Sequence, residues 1–220
     1  MPTQYLDSPA SLATIMSPAK FPKRKFVNVD PSKCTGCGIC EYTCIQEKGE
    51  SSPLLSRIRL VRMKPLFNFA LACRACVDAK CVKACPEQAL SQEEATGILM
   101  IDKKKCKGCD WCVVACEHGG ISIHPDTGFS VACDLCGGEP QCVEFCPEEA
   151  LETLTADEEA DKRMGETLRK LPTEIERITN IVKNKDWKPI LAEGEERSKK
   201  VSEKLEALKD KAETRKRPSS

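Results

Sequence analysis

The sequence predicts an α+β fold in which a thiol-rich domain of short strands and short helices precedes a charged, α-helical C-terminal extension. Three observations predict it. All 16 cysteines of the 220-residue chain fall between Cys34 and Cys146. The stretches between them are short, alternating and rich in β-branched residues, as half-buried strands are. After Leu151 the composition turns charged, with apolar residues three and four apart, the spacing of one helix face. The expected division is an N-terminal extension at 1–25, a four-motif domain at 26–151 and a helical extension at 152–220.

The cysteines form four groups of four. Cys34, Cys37, Cys40 and Cys44 are spaced x2-x2-x3, and Cys106, Cys109, Cys112 and Cys116 repeat that spacing. Cys73, Cys76, Cys81 and Cys85, and likewise Cys133, Cys136, Cys142 and Cys146, share a widened middle gap and a following proline, Pro86 or Pro147. The alternation reflects a duplication. Val27-Asn28-Val29-Asp30 before Cys34 matches Leu99-Met100-Ile101-Asp102 before Cys106, and the run from Cys81 to Leu90 matches that from Cys142 to Leu151.

Strands are expected at 25–29, 58–63 and 98–101. A hairpin is expected from 121–124 and 129–132, around the turn residues Pro125, Asp126, Thr127 and Gly128. Short helices are expected after Pro86 and Pro147, since proline suits a first helical turn. In the extension, Thr155 is the expected cap of a helix with an acidic first turn. That helix keeps Leu168, Leu171, Ile175, Ile178 and Val182 on one stripe despite Pro172. A second helix at 195–215 carries Val201, Leu205, Leu208 and Ala212.

A C-x2-C-x2-C loop turns three thiols inward around a corner. In two-cluster proteins the last cysteine of each run ligates the other cluster, so the spacing points to 4Fe–4S centres. Zinc favours paired knuckles a dozen or more residues apart, often with histidine. A disulfide scaffold requires an oxidising compartment. No C-x-x-C is followed by histidine, as haem attachment requires, and no nucleotide-binding glycine loop occurs. His118 and His124 are read as surface or hydrogen-bonded residues. Gly36, Gly38 and Gly108 lie inside the cysteine loops, where φ > 0 is expected. Arg74, Lys105 and Lys107 adjoin ligands and are placed to raise cluster potentials.

Aromatic residues make up 5% of the chain, so hydrocarbon burial alone supplies a thin core and metal centres would staple it. The 34 basic and 34 acidic residues balance. Four clusters adding about −2 each would make the loaded protein acidic by roughly −8. With no basic domain to offset this, nucleic acid is not an expected partner. Met1 to Lys25 lacks a secretory apolar run or a twin-arginine pair, and no apolar stretch reaches membrane length. A cytoplasmic location without membrane insertion is expected.

At its cysteine motifs the sequence resembles the four-cluster iron–sulfur subunits of molybdenum and tungsten oxidoreductases, of the dimethyl sulfoxide reductase, formate dehydrogenase and aldehyde oxidoreductase type. The likeness covers about 26–151. Its most specific stretches are Cys73-Arg74-Ala75-Cys76 running on to Cys85-Pro86, and Cys133-Asp134-Leu135-Cys136 running on to Cys142. The resemblance implies two interlocked ferredoxin-like dicluster modules, an inner one at about 65–120 and an outer one from 26–64 and 121–151.

It also implies four 4Fe–4S clusters with exchanged ligands. The inner clusters take Cys73, Cys76 and Cys81 with Cys116, and Cys106, Cys109 and Cys112 with Cys85. The outer clusters take Cys34, Cys37 and Cys40 with Cys146, and Cys133, Cys136 and Cys142 with Cys44. Motifs one and three depart from the pattern, carrying Ile45 and Glu117 where proline would follow.

No residue presents itself as a nucleophile with a base, so chemistry is expected in a partner, a catalytic redox subunit with molybdenum or tungsten. A further electron-carrier subunit or ferredoxin would serve as the other partner. Electrons are expected to enter at one outer cluster, cross the inner two and leave at the other outer one. Two other readings stay open, a free-standing polyferredoxin and a structural or assembly protein whose helices oligomerise. A docking helix should bury Val201, Leu205 and Leu208 against another chain, whereas a carrier would fold them onto itself.

Overall fold

The computed structural model describes residues 21–63 and 67–216, so most of the expected N-terminal extension lies outside the described residues. In chain order the elements are β1 (Phe26–Val29), α1 (Ile39–Lys48), β2 (Arg59–Met63), β3 (Phe67–Leu71), α2 (Lys80–Lys83), β4 (Leu90–Gln92) and β5 (Leu99–Ile101). They continue with α3 (Trp111–Val114), β6 (Ile121–Ile123), β7 (Ser130–Ala132), α4 (Gln141–Glu144), β8 (Leu151–Leu154), α5 (Asp157–Asn184) and α6 (Lys188–Lys216). The mixed α+β class and the helical extension are as the sequence predicts.

The duplication organises the sheets. Each is a two-stranded antiparallel ribbon, pairing β1 with β8, β2 with β3, β4 with β5 and β6 with β7. The entry strand of the first half pairs with the exit strand of the second, Phe26 opposite Leu154 and Val29 opposite Leu151. Its counterpart β5 pairs with β4, Leu99 opposite Gln92 and Ile101 opposite Leu90. Backbone bonds repeat with the strands: Asp30 N–H donates to the Ala150 carbonyl at 2.7 Å, and Asp102 N–H to that of Ala89 at 2.8 Å.

Two cores result. One gathers Val27, Val29, Cys40, Cys44, Leu135, Cys142 and Cys146, and packs α1 on α4. The other gathers Cys81, Leu90, Leu99, Cys106, Cys112, Ile121 and Ala132, and packs α2 on α3. The β6–β7 hairpin, assigned to the outer module on sequence, thus sends Ile121 and Ala132 into the second core.

Three local expectations are corrected. The helices lie before the prolines, not after them: residues 86–87 and 147–148 are turns, followed by Gln88 and Glu149, both at φ 48. The chain must enter β4 or β8 within three or four residues, so the N–H groups there turn to sulfur instead of starting a helix. Thr155 is not the cap of α5. Ala156 occupies that position without a side-chain bond, and the Thr155 carbonyl accepts from Arg24. The second helix begins at Lys188, seven residues before the expected start at 195.

The apolar stripes also resolve differently. In α5, Leu168, Ile175 and Val182 are exposed, while Ala160, Thr167 and Ile181 are buried. Pro172 sits on the solvent side, where water can satisfy the carbonyl its missing N–H leaves free. In α6, Val201, Leu205 and Leu208 close onto Ile39 of α1 and onto Phe145, which follows α4. That stripe is spent within the chain.

Candidate metal centres

The thiols are brought to the ends of short helices by loops that require left-handed backbone. Gly36, Gly38 and Gly108 have φ of 72°, 88° and 63°. At Gly108 a Cβ would collide with the Gly128 carbonyl oxygen, so the β6–β7 turn presses the third motif's loop. Glycine is needed there on two grounds, conformation and contact.

Four thiols line one cavity: Cys34, Cys37, Cys40 and, from more than a hundred residues away, Cys146. Its empty volume is about 350 Å³ including open solvent, with walls from Leu60, Ala70 and Leu151. Another cavity, about 290 Å³ with open solvent included, is lined by Cys73, Cys76, Cys81 and Cys116, with Leu99 and Ile121. In both, three thiols of one motif meet the last thiol of a distant one. Cys44 lies within electrostatic reach of Cys133, Cys136 and Cys142. Cys85 packs at the margin of the core that holds Cys106 and Cys112.

The groups also neighbour one another. Cys40 is within electrostatic reach of Cys142, and Cys112 of Cys81, across the α1–α4 and α2–α3 contacts. Cys73 is within reach of Cys133. This last contact joins the two cores, because Ala72 belongs to one and Cys73 to the other, while Ala132 and Cys133 cross in the opposite sense.

Burial pushes most of these thiols up. Cys73 and Cys133 are raised to about 12 and Cys81 to about 11, in each case chiefly by desolvation, with neighbouring thiols adding to it. Cys40 and Cys142 are raised further for the same reason. Such sulfurs become thiolates only opposite a strong positive charge, and iron supplies one, so metal uptake releases protons. Among the described residues no three His, Cys, Asp or Glu side chains meet closely enough to hold one metal ion. Two of the four thiol groups line cavities whose other walls are largely apolar, a setting that suits a body ligated by sulfur.

Backbone and side-chain donors already face the sulfurs. Ala89 N–H reaches Cys85 Sγ at 3.3 Å, Gly120 N–H reaches Cys116 Sγ at 3.3 Å, and Ala150 N–H reaches Cys146 Sγ at 3.2 Å. Cys44 takes its N–H from Arg57 at 3.3 Å instead, because α1 runs on past it. The Ser130 hydroxyl lies 3.2 Å from Cys112 Sγ and 3.6 Å from Cys106 Sγ. Burial acts to raise Cys106, but the N–H groups of Ser130 and Gly108 and the Ser130 hydroxyl outweigh it, leaving this thiol lowered.

Three supporting residues escaped sequence reading. Ser130 is one. Arg24 is buried and donates to the carbonyls of Ala75, Arg74 and Thr155 at 2.9, 3.0 and 3.2 Å, and to both Asp157 oxygens at 2.9 and 2.8 Å. It thereby ties the Cys73–Cys76 loop to the first turn of α5, with its guanidinium 5.0 Å from the Phe26 ring. Asp134 accepts from Cys136 N–H at 3.1 Å and pairs with Lys48 at 2.8 Å and Arg57 at 2.6 Å. No sequence signal marks Arg24 or Ser130. Asp134 sits inside a cysteine motif, where a turn-capping acid could have been sought.

Of the residues singled out on sequence, His124 closes the β6–β7 turn, its Nδ1 accepting from Asp126 and Thr127 N–H at 3.2 and 3.3 Å. Burial lowers His118. Arg74 is half-buried, 5.8 Å from the Phe26 ring and 3.5 Å from Asp161. Lys105 and Lys107 are exposed. No helix of the described residues is long and apolar enough to cross a membrane.

Residues 65–155 match the family described as the 4Fe-4S dicluster domain. Over 139 residues, 61% of this chain and 80% of the other, the sequence is 41% identical to the polyferredoxin-like subunit of an aliphatic sulfonate oxidoreductase of Pyrococcus furiosus. It is 32% identical over 152 residues to the electron transport protein HydN of Escherichia coli, covering 58% of this chain and 86% of that one. It is 40% identical over 131 residues, 57% of this chain, to the beta subunit of the NADH-dependent phenylglyoxylate dehydrogenase of Aromatoleum evansii, of which it spans 29%.

Proposed function

The chain belongs to the polyferredoxin-like iron–sulfur proteins that carry a 4Fe-4S dicluster domain, and from that premise we propose that it is the electron-transfer subunit of an oxidoreductase complex, holding four clusters in series. When bound, such clusters take up and release single electrons. The chain's own part is to hold them, exclude water and direct N–H and O–H groups at the sulfurs, which favours the more negative, reduced charge state.

The observation that carries this reading is the crossed thiol set, Cys146 beside Cys34, Cys37 and Cys40, and Cys116 beside Cys73, Cys76 and Cys81. Completed by the same rule, the other two sets are Cys133, Cys136 and Cys142 with Cys44, and Cys106, Cys109 and Cys112 with Cys85. The modules are then an outer pair from motifs one and four and an inner pair from motifs two and three.

The neighbour relations favour a different route from the one read on sequence. Cys40 beside Cys142, Cys133 beside Cys73, and Cys81 beside Cys112 support the order motif one, four, two, three. An inner cluster then ends the series. The partner at one end is a catalytic subunit, a reading supported by two of the relatives, which are themselves named as subunits of an oxidoreductase and a dehydrogenase. The likeness at the cysteine motifs makes molybdenum or tungsten the metal to look for there.

The test compares Cys116→Ala with Cys76→Ala and Cys109→Ala in anaerobically purified chain. Iron and acid-labile sulfide start at roughly 16 each per chain if four clusters are bound. Cys116→Ala should reproduce the altered paramagnetic resonance spectrum of Cys76→Ala. A match to Cys109→Ala instead would overturn the crossed ligation.

A further inference from the structure

The duplicated fold presents the same helical face twice, and one copy is covered. In the outer pair, α6 lays Val201, Leu205 and Leu208 on Ile39 and Phe145, which are 4% and 5% exposed. Its lysines hold the polar rim. Lys200 reaches Glu148 at 3.1 Å, Lys211 reaches Glu144 at 2.9 Å, and Lys204 Nζ donates to the Glu144 carbonyl at 3.2 Å.

The inner pair builds the equivalent face from α3 and α2. Superposing the motifs by their cysteines puts Trp111 at the place of Ile39 and Ala84 at that of Phe145, with Lys80 and Lys83 at those of Gln141 and Glu144. Nothing in the chain's described residues covers it. Trp111 is 63% exposed and its neighbour Val114 is 86% exposed.

The rim has changed sign with the exposure. Lys80 and Lys83 stand where the covered face is uncharged or acidic, and they reach only Glu117 and Asp78, in pairs exposed on both sides. Such pairs exchange partners at little cost. The loop leading into α3 adds Lys103, Lys104, Lys105 and Lys107, all exposed and none ion-paired among the described residues. Asp102, beside them, turns its carboxylate to the backbone N–H of Lys104 at 2.9 Å. An exposed tryptophan on a segment with six lysines, four of them without an ion pair among the described residues, against Asp78, Asp102, Asp110 and Glu117, has the make-up of an interface anchor on a net basic surface.

We propose that the α2–α3 face is the port for an acidic electron-transfer partner. That partner lays an apolar, carboxylate-bearing segment on Trp111 and Val114, as α6 lies on Ile39 and Phe145 but with the charges reversed. The inference rests on the electron-transfer reading above, in which motif three ends the series. Cys109, exposed and two residues before Trp111 in the chain, would bring an incoming donor or acceptor close to the terminal cluster. One electron leaves the reduced partner, which is oxidised, and the chain is reduced by one.

The experiment uses the full, cluster-loaded chain in anaerobic stopped flow. The probe is reduced plant-type 2Fe–2S ferredoxin, an acidic carrier, with dithionite as the small-molecule reductant for comparison. The rate with ferredoxin should fall about tenfold or more from low to high salt. It should fall about tenfold in Lys83→Glu/Lys104→Glu, with salt dependence flattened, and severalfold in Trp111→Ala. Lys209→Glu on α6 should leave it unchanged. Iron content, paramagnetic resonance and the dithionite rate should match the unaltered chain in every variant.

Ferredoxin rates that ignore the α2–α3 substitutions while clusters stay intact, or that Lys209→Glu lowers equally, overturn the port. So does a concentration-dependent dimer abolished by Trp111→Ala, which would give the face to a second copy of the chain. Failure of dithionite to reduce the unaltered chain overturns the electron-transfer reading itself, a separate outcome.

Discussion

Leu208→Ala tests whether α6 belongs to the cluster-bearing domain or merely follows it. Leu208 is 9% exposed between Ile39 and Phe145. Truncating it removes three buried carbons from an interface at the molecule's edge, which costs about 2–3 kcal/mol once partial collapse of the cavity is allowed. The ion pairs of Lys200 and Lys211 remain, and being partly exposed they contribute little. The loss should appear as local opening of α6, not as global unfolding.

Hydrogen exchange of the intact, cluster-loaded chain reads this directly. Amides on the docked stretch of α6 should exchange about 30- to 150-fold faster, the factor that corresponds to 2–3 kcal/mol. Those of β1 and β8 should keep their protection. A change below threefold on α6 would mean that Leu208 does not anchor it. Equal acceleration across β1, β8 and α6 would mean that the helix is no separable layer.

Ser130→Ala removes the hydroxyl that faces Cys112 and Cys106, and with thiolate ligands that hydroxyl is the donor. A lost hydrogen bond of about 1 kcal/mol should lower one cluster's potential by about 40 mV. A resonance-monitored redox titration with no shift, or with a shift confined to another cluster, would refute the assignment. Arg24→Ala strands three carbonyls and Asp157. With Asp157 42% exposed, the expected cost is about 2–3 kcal/mol. It should show as faster exchange in the first turn of α5 and faster chelator-driven iron loss. Unchanged iron retention would remove Arg24 from support of the Cys73–Cys76 loop.

Much of this protein is legible in one dimension because its chemistry is local. Three thiols on a C-x2-C-x2-C loop must face one another whatever the rest of the chain does, and glycine at 36 and 108 announces left-handed backbone. The strands at 26–29, 59–63 and 99–101 and the β6–β7 hairpin follow from alternation and turn residues. By contrast β3, β4, β8 and α1 left weaker signals. Leu90–Gln92 and Leu151–Leu154 become strands by pairing with β5 and β1, and Ile39–Lys48 overlays a helix on a cysteine motif.

What the sequence determined alone is the four groups of thiols, their spacing and the presence of two helices after Leu151. Only the tertiary structure decided which groups are neighbours and what the stripe of α6 covers. The reason is that spacing along a chain constrains a few residues around a loop. The meeting of Cys73 with Cys133 and the seating of Leu208 on Phe145 depend on how two similar halves pack, and both halves carry the same local pattern.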